Sequence, residues 1–373
     1  MFSGSTAAFQ IPFAIGIAIA LLVCLNARTV GERFGVMAYP DLGRKRHANP
    51  TPQVGGIAIL LGLVGWLTTR FYLVGDIELP LLLAMLLGAG GLAVVGFEDD
   101  QKETSPLSRV LLLLVFMGVA FAIDPQFISP TLNWGSFSPT SIPVWGYLLL
   151  MGVTVIGLVN SVNMADGQNG IVGSMMLVWT GCLMIVMHGL GAAIAGVLFC
   201  TSAIFLFFNL QGKIFLGDCG SYGVTFAVGL LVTLAHARGE VTLETVIVWF
   251  FIPVADCLRL LISRPLRGVS PFQGDRDHFH HRLEDKLGKH QGLATYAGAV
   301  AITSFGATLD PRFALVCLCV LSAFFFSFAW LTDATQIAVP QSEPESDRDE
   351  ASPAAGNVVS LGSDGKAKRR GTM

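Results

Sequence analysis

Eleven stretches of almost unbroken apolar sequence alternate with short polar segments along the chain. They lie near 10–27, 54–74, 80–97, 108–123, 143–160, 170–188, 190–208, 219–236, 243–263, 293–309 and 312–332. Many reach the roughly 20 residues that an α-helix needs to cross a bilayer core. The runs are continuous and do not alternate at every second residue, which argues against a transmembrane β-barrel. The pattern predicts an all-α, polytopic integral membrane bundle of about 11 transmembrane helices. No basic segment precedes the first run, "IPFAIGIAIALLVCLNA", so it is expected to be a retained helix and not a signal peptide.

Composition supports this pattern. Apolar residues make up 53% of the 373 and charged residues 13%, with a mean hydropathy of +0.65; soluble domains carry about 25% charged residues. The net charge of −3 says less than the distribution, because 19 of the 23 Lys and Arg fall in, or at the edge of, alternate connecting segments. These are 28–53, 98–107, 161–169, 209–218, 264–292 and the stretch from 333. Basic residues are retained on the cytoplasmic side, so these segments are expected there, with the N-terminus outside and the C-terminus cytoplasmic. The chain divides into a transmembrane domain, 1–335, and a Pro-, Ser-, Gly- and charge-rich tail, 336–373, expected to be disordered. Seven cysteines without a CxxC pair read as buried thiols, and neither a disulfide framework nor a zinc site is suggested. No internal repeat is evident, which weakens an inverted-repeat transporter as an alternative.

Five polar stretches interrupt this background, all on the basic face: "RKRHANPTPQVGG", "GFEDDQKETSP", "NSVNMADGQNG", "FLGDCGS" and "DRDHFHHRL". Adjacent Asp99 and Asp100 at a helix end are either plain solvated acids or hard oxygen ligands suited to Mg²⁺. Asn160, Asn163 and Asp166 recur every three residues and share one stripe if the helix continues, and Gly167 and Gly170 suit a chain reversal. "GDCGS" reads as a tight turn into a helix N-terminus, carrying Asp218 and Ser221, where free N–H groups favour phosphate. His278, His280 and His281 read as an anion-contacting cluster rather than a zinc site or a solvated loop, with Arg276 beside them. Lys45, Arg46 and His47, following Arg44, offer a second basic patch at headgroup level. Asp256 and Arg259, three apart inside the ninth span, are expected to form an intrahelical ion pair. Carboxylates for a metal, a helix N-terminus and basic groups for a diphosphate point together to phosphoryl transfer at the inner membrane surface.

These five motifs, in this order over roughly 28–292, resemble the polyprenyl-phosphate N-acetylhexosaminyl-1-phosphate transferases. The histidine pattern, one histidine, one apolar residue and two histidines, is closer to the WecA/TagO branch than to MraY. The resemblance implies transfer of a sugar 1-phosphate from a UDP-N-acetylhexosamine, UDP-GlcNAc first, to undecaprenyl phosphate in the bacterial cytoplasmic membrane, with release of UMP. It further implies Mg²⁺, with Mn²⁺ as a substitute, and Asp218 as the principal ligand, helped by Asn163 and Asp166. Asp99 and Asp100 would bind or activate the lipid phosphate, and His278, His280 and His281 would contact the uridine diphosphate. Lys45, Arg46, His47, Asn160, Asn169, Ser221 and Arg276 complete the expected substrate-binding set. Asn169 stands where many relatives carry an aspartate, so that position cannot act as a base here. A homodimer is expected by analogy alone, and no nucleic-acid partner is expected. The alternatives are an MraY-type transferase and, from a different class, a membrane transporter with ionisable residues along a midplane path.

Overall fold

The computed structural model describes residues 3–40, 49–102, 104–270 and 276–337, with side chains from 9 to 331. The described residues form fourteen α-helices. They are α1 (Ser3–Leu25), α2 (Ala27–Phe34), α3 (Gly55–Leu73), α4 (Leu79–Ala84), α5 (Gly90–Gln101), α6 (Pro106–Ile123) and α7 (Val144–Ala165). Then follow α8 (Ile171–Val186), α9 (Gly189–Leu210), α10 (Gly217–Ala237), α11 (Leu243–Leu266), α12 (Phe279–Leu287), α13 (Lys289–Leu309) and α14 (Ala314–Ile337). Among the described residues, sheet is confined to two short antiparallel hairpins, β1 (Met37–Ala38) with β2 (Thr51–Pro52) and β3 (Thr131–Leu132) with β4 (Thr140–Ser141). The chain separates into a unit of 1–332 and a second beginning at Asp333, in which only the last residues of α14 are described.

Each of the eleven apolar stretches is helical, but not every helix has full span length. Nine described helices are long and apolar enough to cross a membrane, ten if the bent pair around Leu25–Ala27 counts as one span. α8, with 16 residues, falls short of the roughly 20 needed. The third span runs from Leu79 to Gln101 and carries a π-helical segment at Met85–Ala89 between α4 and α5. Such a bulge re-phases a helix without ending it.

α10 is the axis of the bundle. Its spanning window is entirely buried, enclosed by α3, α5, α7 and α8. Lipid tails offer helices no hydrophobic contrast, so packing depends on close approach between small residues. The α10 sequence "GDCGSYGVTFAVGLLVTLAHA" supplies four glycines, three alanines and a serine for that purpose. Its Thr233 hydroxyl donates back to the Gly229 carbonyl, so the central helix carries this polar group without needing a partner elsewhere.

Candidate active site

Described segments of all five polar stretches meet around the N-terminus of α10. The chain after β2 is stitched to the turn before α10: Phe215 N–H donates to the Pro52 carbonyl, and Gly55 and Gly56 N–H donate to the carbonyls of Phe215 and Leu216. Gln53 Nε2 donates to Asp100 Oδ1 at 2.8 Å, tying that segment to the end of α5. Asp100 also accepts the Asp218 N–H on Oδ1 at 2.9 Å and the Cys219 N–H on Oδ2 at 3.2 Å. Its carboxylate therefore caps α10 from another helix. The sequence pattern assigns those N–H groups to a phosphate; the structure gives two of them to Asp100. A negative group at a helix N-terminus satisfies both the orphan donors and the dipole. Gly217, at φ +75°, makes room for it, since a Cβ there would lie 2.8 Å from Asp100 Oδ2.

Asp99, one residue earlier, also reaches α10, where its side chain lies beside that of Asp218. Its buried carboxylate accepts the Thr104 N–H and hydroxyl, both at 2.8 Å, Arg109 Nη2 at 2.9 Å and the Tyr222 hydroxyl at 2.8 Å. Four donors satisfy its charge. Adjacent residues on a helix face different neighbours, so the pair divides into a helix cap and a buried strut.

α7 delivers the next group. Asn163 Nδ2 donates to Asp218 Oδ1 at 2.6 Å and to Ser221 Oγ at 3.0 Å. In this arrangement Asn163 presents its amide nitrogen to Asp218, so it orients that carboxylate, where the resemblance makes it a fellow metal ligand. Asp166 follows the last residue of α7. Burial, then the nearby charges of Asp218 and Asp100, push its carboxyl well above the usual carboxylate range. Among the described residues no Lys or Arg forms an ion pair with Asp166 or Asp218. Asn160 does not join this group, because its Nδ2 bonds back to the Ile156 carbonyl of its own helix. Asn169 lies against the turn at Gly212. The loop between them is held by buried Asn209, which accepts the Gly170 N–H at 2.7 Å and donates to the Ile214 carbonyl.

The histidine motif is a helix start, not an open charged loop. His278 precedes α12, and Phe279 and Leu283, four residues apart, are fully buried. Phe279 packs among Tyr296, Phe324, Phe325 and Phe328. The apolar residue inside the histidine pattern is thus the anchor that fixes its phase. His280 and His281 are turned onto the loop after α7: a Cβ on Gly167 would lie 2.7 Å from His280 Nε2 and 3.0 Å from His281 Nε2. Only glycine permits that approach. His280 Nε2 is buried without a hydrogen-bond partner in the protein. Burial, then the neighbouring His281 and His278, push the His280 imidazole well below the usual histidine value. Burial and Arg276 bring His281 down to about 4. Protonated imidazoles are the expectation from an anion-binding cluster; this packing favours neutral ones. Arg276 itself pairs with Glu284 at 3.2 Å. Lys45, Arg46 and His47 lie outside the described residues.

Four residues that matter here, Gln53, Arg109, Asn209 and Tyr222, are not among the expected site residues. Gln53 lies within, and Tyr222 directly after, motifs legible in the sequence, whereas Asn209 closes an apolar helix and carries no local signal.

The sequence has counterparts among known proteins. The model of Glycosyl transferase family 4 matches residues 82–236. The undecaprenyl-phosphate alpha-N-acetylglucosaminyl 1-phosphate transferase of Yersinia pestis is 27% identical over 271 residues, covering 69% of this chain and 72% of that protein. Its namesake from Salmonella typhi is 27% identical over 330 residues, covering 81% and 85%. The protein of the same name from Escherichia coli K12 is 27% identical over 69% of this chain and 71% of its own. With that match running from the third span to the end of α10, and the relatives extending well beyond it, the chain is similar to Glycosyl transferase family 4 and, within it, to the undecaprenyl-phosphate N-acetylglucosaminyl 1-phosphate transferases.

Proposed function

We propose that this membrane protein transfers N-acetylhexosamine 1-phosphate, GlcNAc 1-phosphate first, from a UDP-sugar to undecaprenyl phosphate and releases UMP. The observation that carries the reading is the meeting of Asp166 and Asp218, with no Lys or Arg paired to either among the described residues, beside the histidine row. Relatives bearing undecaprenyl-phosphate and N-acetylglucosaminyl 1-phosphate transferase in their names support the acceptor and the sugar. An oxygen of the lipid phosphate forms a bond to the phosphorus that carries the sugar. The bond from that phosphorus to the bridging anhydride oxygen breaks, and the bridging oxygen leaves with UMP.

The acidic pair fits Mg²⁺, because a hard divalent cation relieves the repulsion that raises the Asp166 carboxyl. Asp218 and Asp166 would hold it, where it would supply charge stabilisation for the transferring phosphoryl group. Asn163 keeps the Asp218 carboxylate turned toward that point, and Asp100 fixes the backbone on which Asp218 stands. Neutral imidazoles at His280 and His281 keep one N–H each for hydrogen bonding to a diphosphate. The lipid phosphate, with a second pKa near 6, reaches the site already dianionic, so no strong base is required. The concentration of Lys and Arg near these segments supports a cytoplasmic active site in the bacterial inner membrane. Membranes containing the protein are expected to release UMP from UDP-GlcNAc only with both Mg²⁺ and undecaprenyl phosphate. Absence of Mg²⁺-dependent release with every UDP-N-acetylhexosamine would overturn the reading.

A further inference from the structure

Asp256 lies in α11, inside an apolar span, with about 6% of its surface exposed. A charge there is costly unless it is paired. The ion pair expected from the sequence is present: Arg259 donates to Asp256 Oδ1 from Nη2 at 2.8 Å and from Nε at 3.2 Å. That pair uses only one carboxylate oxygen. Oδ2 faces His278 Nδ1 at 3.1 Å and accepts the Phe279 N–H, also at 3.1 Å.

One membrane-embedded carboxylate therefore holds the start of α12 in two ways. It accepts the N–H of the helix's first residue, and it requires His278 to carry a proton on Nδ1. A carboxylate partner on one ring nitrogen fixes the tautomer and aims the other nitrogen outward. The His278 and His280 rings lie within 16° of parallel with centroids 5.4 Å apart, and the His280 and His281 centroids are 4.2 Å apart. Turning the first ring would displace the other two, and these are the rings that rest on Gly167.

We propose that Asp256 is a positioning residue for the transferase: it sets the orientation and tautomer of His278, and through it the histidine row that faces the donor's diphosphate. This rests on the donor reading of that row given above. Asp256, His278 and His280 also bring potential ligand atoms within 4.8 Å of one another. The Arg259 guanidinium already neutralises this carboxylate, however, and a divalent cation in the same place would face it directly.

The test is a double-mutant cycle on the full-length protein in detergent, following UMP release at saturating undecaprenyl phosphate. His278→Ala and Asp256→Asn are each expected to raise the donor KM by roughly tenfold, the lower end of what losing an imidazole-orienting carboxylate costs at metal sites, with a smaller change in kcat. The double variant is expected to be little worse than either single one. Asp256→Glu, which keeps the charge but moves it by one methylene, is expected to recover part of the loss. It replaces Asp256→Asn in the cycle if that variant fails to fold. Multiplying effects, or an Asp256 variant that alters only thermal stability, would overturn the inference while leaving the donor reading standing. A donor KM untouched by His278→Ala would remove the donor reading and this inference with it. Stabilisation of wild type but not of the Asp256 variant by stoichiometric Zn²⁺ would replace the orienting role with a metal site.

Discussion

The two ends of α10 both bury carboxylates, about 30 Å apart for a helix of 21 residues, and treat them in opposite ways. At the far end, Glu244 in the first turn of α11 accepts the N–H groups of Gly135 and Ser136 at 2.8 and 3.0 Å. Close by, His236 Nδ1 lies 3.1 Å from the Val241 carbonyl, and Asn133 Nδ2 donates to the His236 carbonyl. These contacts lock the loop that carries β3 and β4. At the near end, Asp166 and Asp218 face each other's charge. Buried polar groups with full partners rigidify a fold, whereas under-satisfied ones are costly and mark the place where a ligand completes the structure. The contrast also divides the near end itself, where Asp99 and Asp100 are fully engaged and Asp166 and Asp218 are not.

The contrast breaks first, if it breaks, at Asp218 and Glu244. Asp218→Asn is expected to lower UMP release on the order of 10³-fold while leaving thermal stability in detergent equal or higher, because a repulsion is removed. Glu244→Gln is expected to keep near-normal turnover and to lose about 1–3 kcal/mol of stability, the cost of leaving a buried donor short of an acceptor. Exchanged phenotypes would sink the distinction.

Asp100→Ala lies between these extremes. It removes a helix cap, so a loss of about 0.5–2 kcal/mol is expected together with a fall in turnover, since Asp218 stands on the uncapped turn. A turnover loss with unchanged stability would return Asp100 to direct substrate contact. Asp99→Asn sharpens the comparison further. The acceptor phosphate is dianionic above its second pKa near 6, so this variant is expected to retain substantial turnover at alkaline pH. Complete loss across a pH profile would make Asp99 a base despite its four donors.

The smallest effect concerns acid stability. The native His281 imidazole titrates at about 4 and that of His280 is also depressed, while the unfolded chain titrates near 6.5. Below that value the unfolded state binds protons that the native state refuses. Stability therefore falls as pH drops from about 6.5 toward 4. Thermal unfolding between pH 7 and pH 5 is expected to show a smaller drop for His281→Asn than for wild type; equal drops would place the acid sensitivity elsewhere.

Hydropathy alone determined the class of this protein, because a bilayer accepts only long apolar helices whose backbone groups are paired internally. Each apolar run came out helical, and five polar interruptions marked where chemistry gathers. Charge spacing likewise foretold the Asp256–Arg259 pair, a contact within one helical turn. Tertiary structure alone decided which carboxylate does what. Asp99 and Asp100 are neighbours in the chain, yet one meets Tyr222 and Arg109 while the other meets the N–H groups of Asp218 and Cys219, more than a hundred residues away. It likewise turned Asn160 back onto its own helix, buried the histidines as the phased start of α12, and placed them over Gly167. A residue's type and its position on a helix limit what it can offer, but the partners that satisfy or strain its charge arrive from other helices, and those are fixed only when the bundle packs.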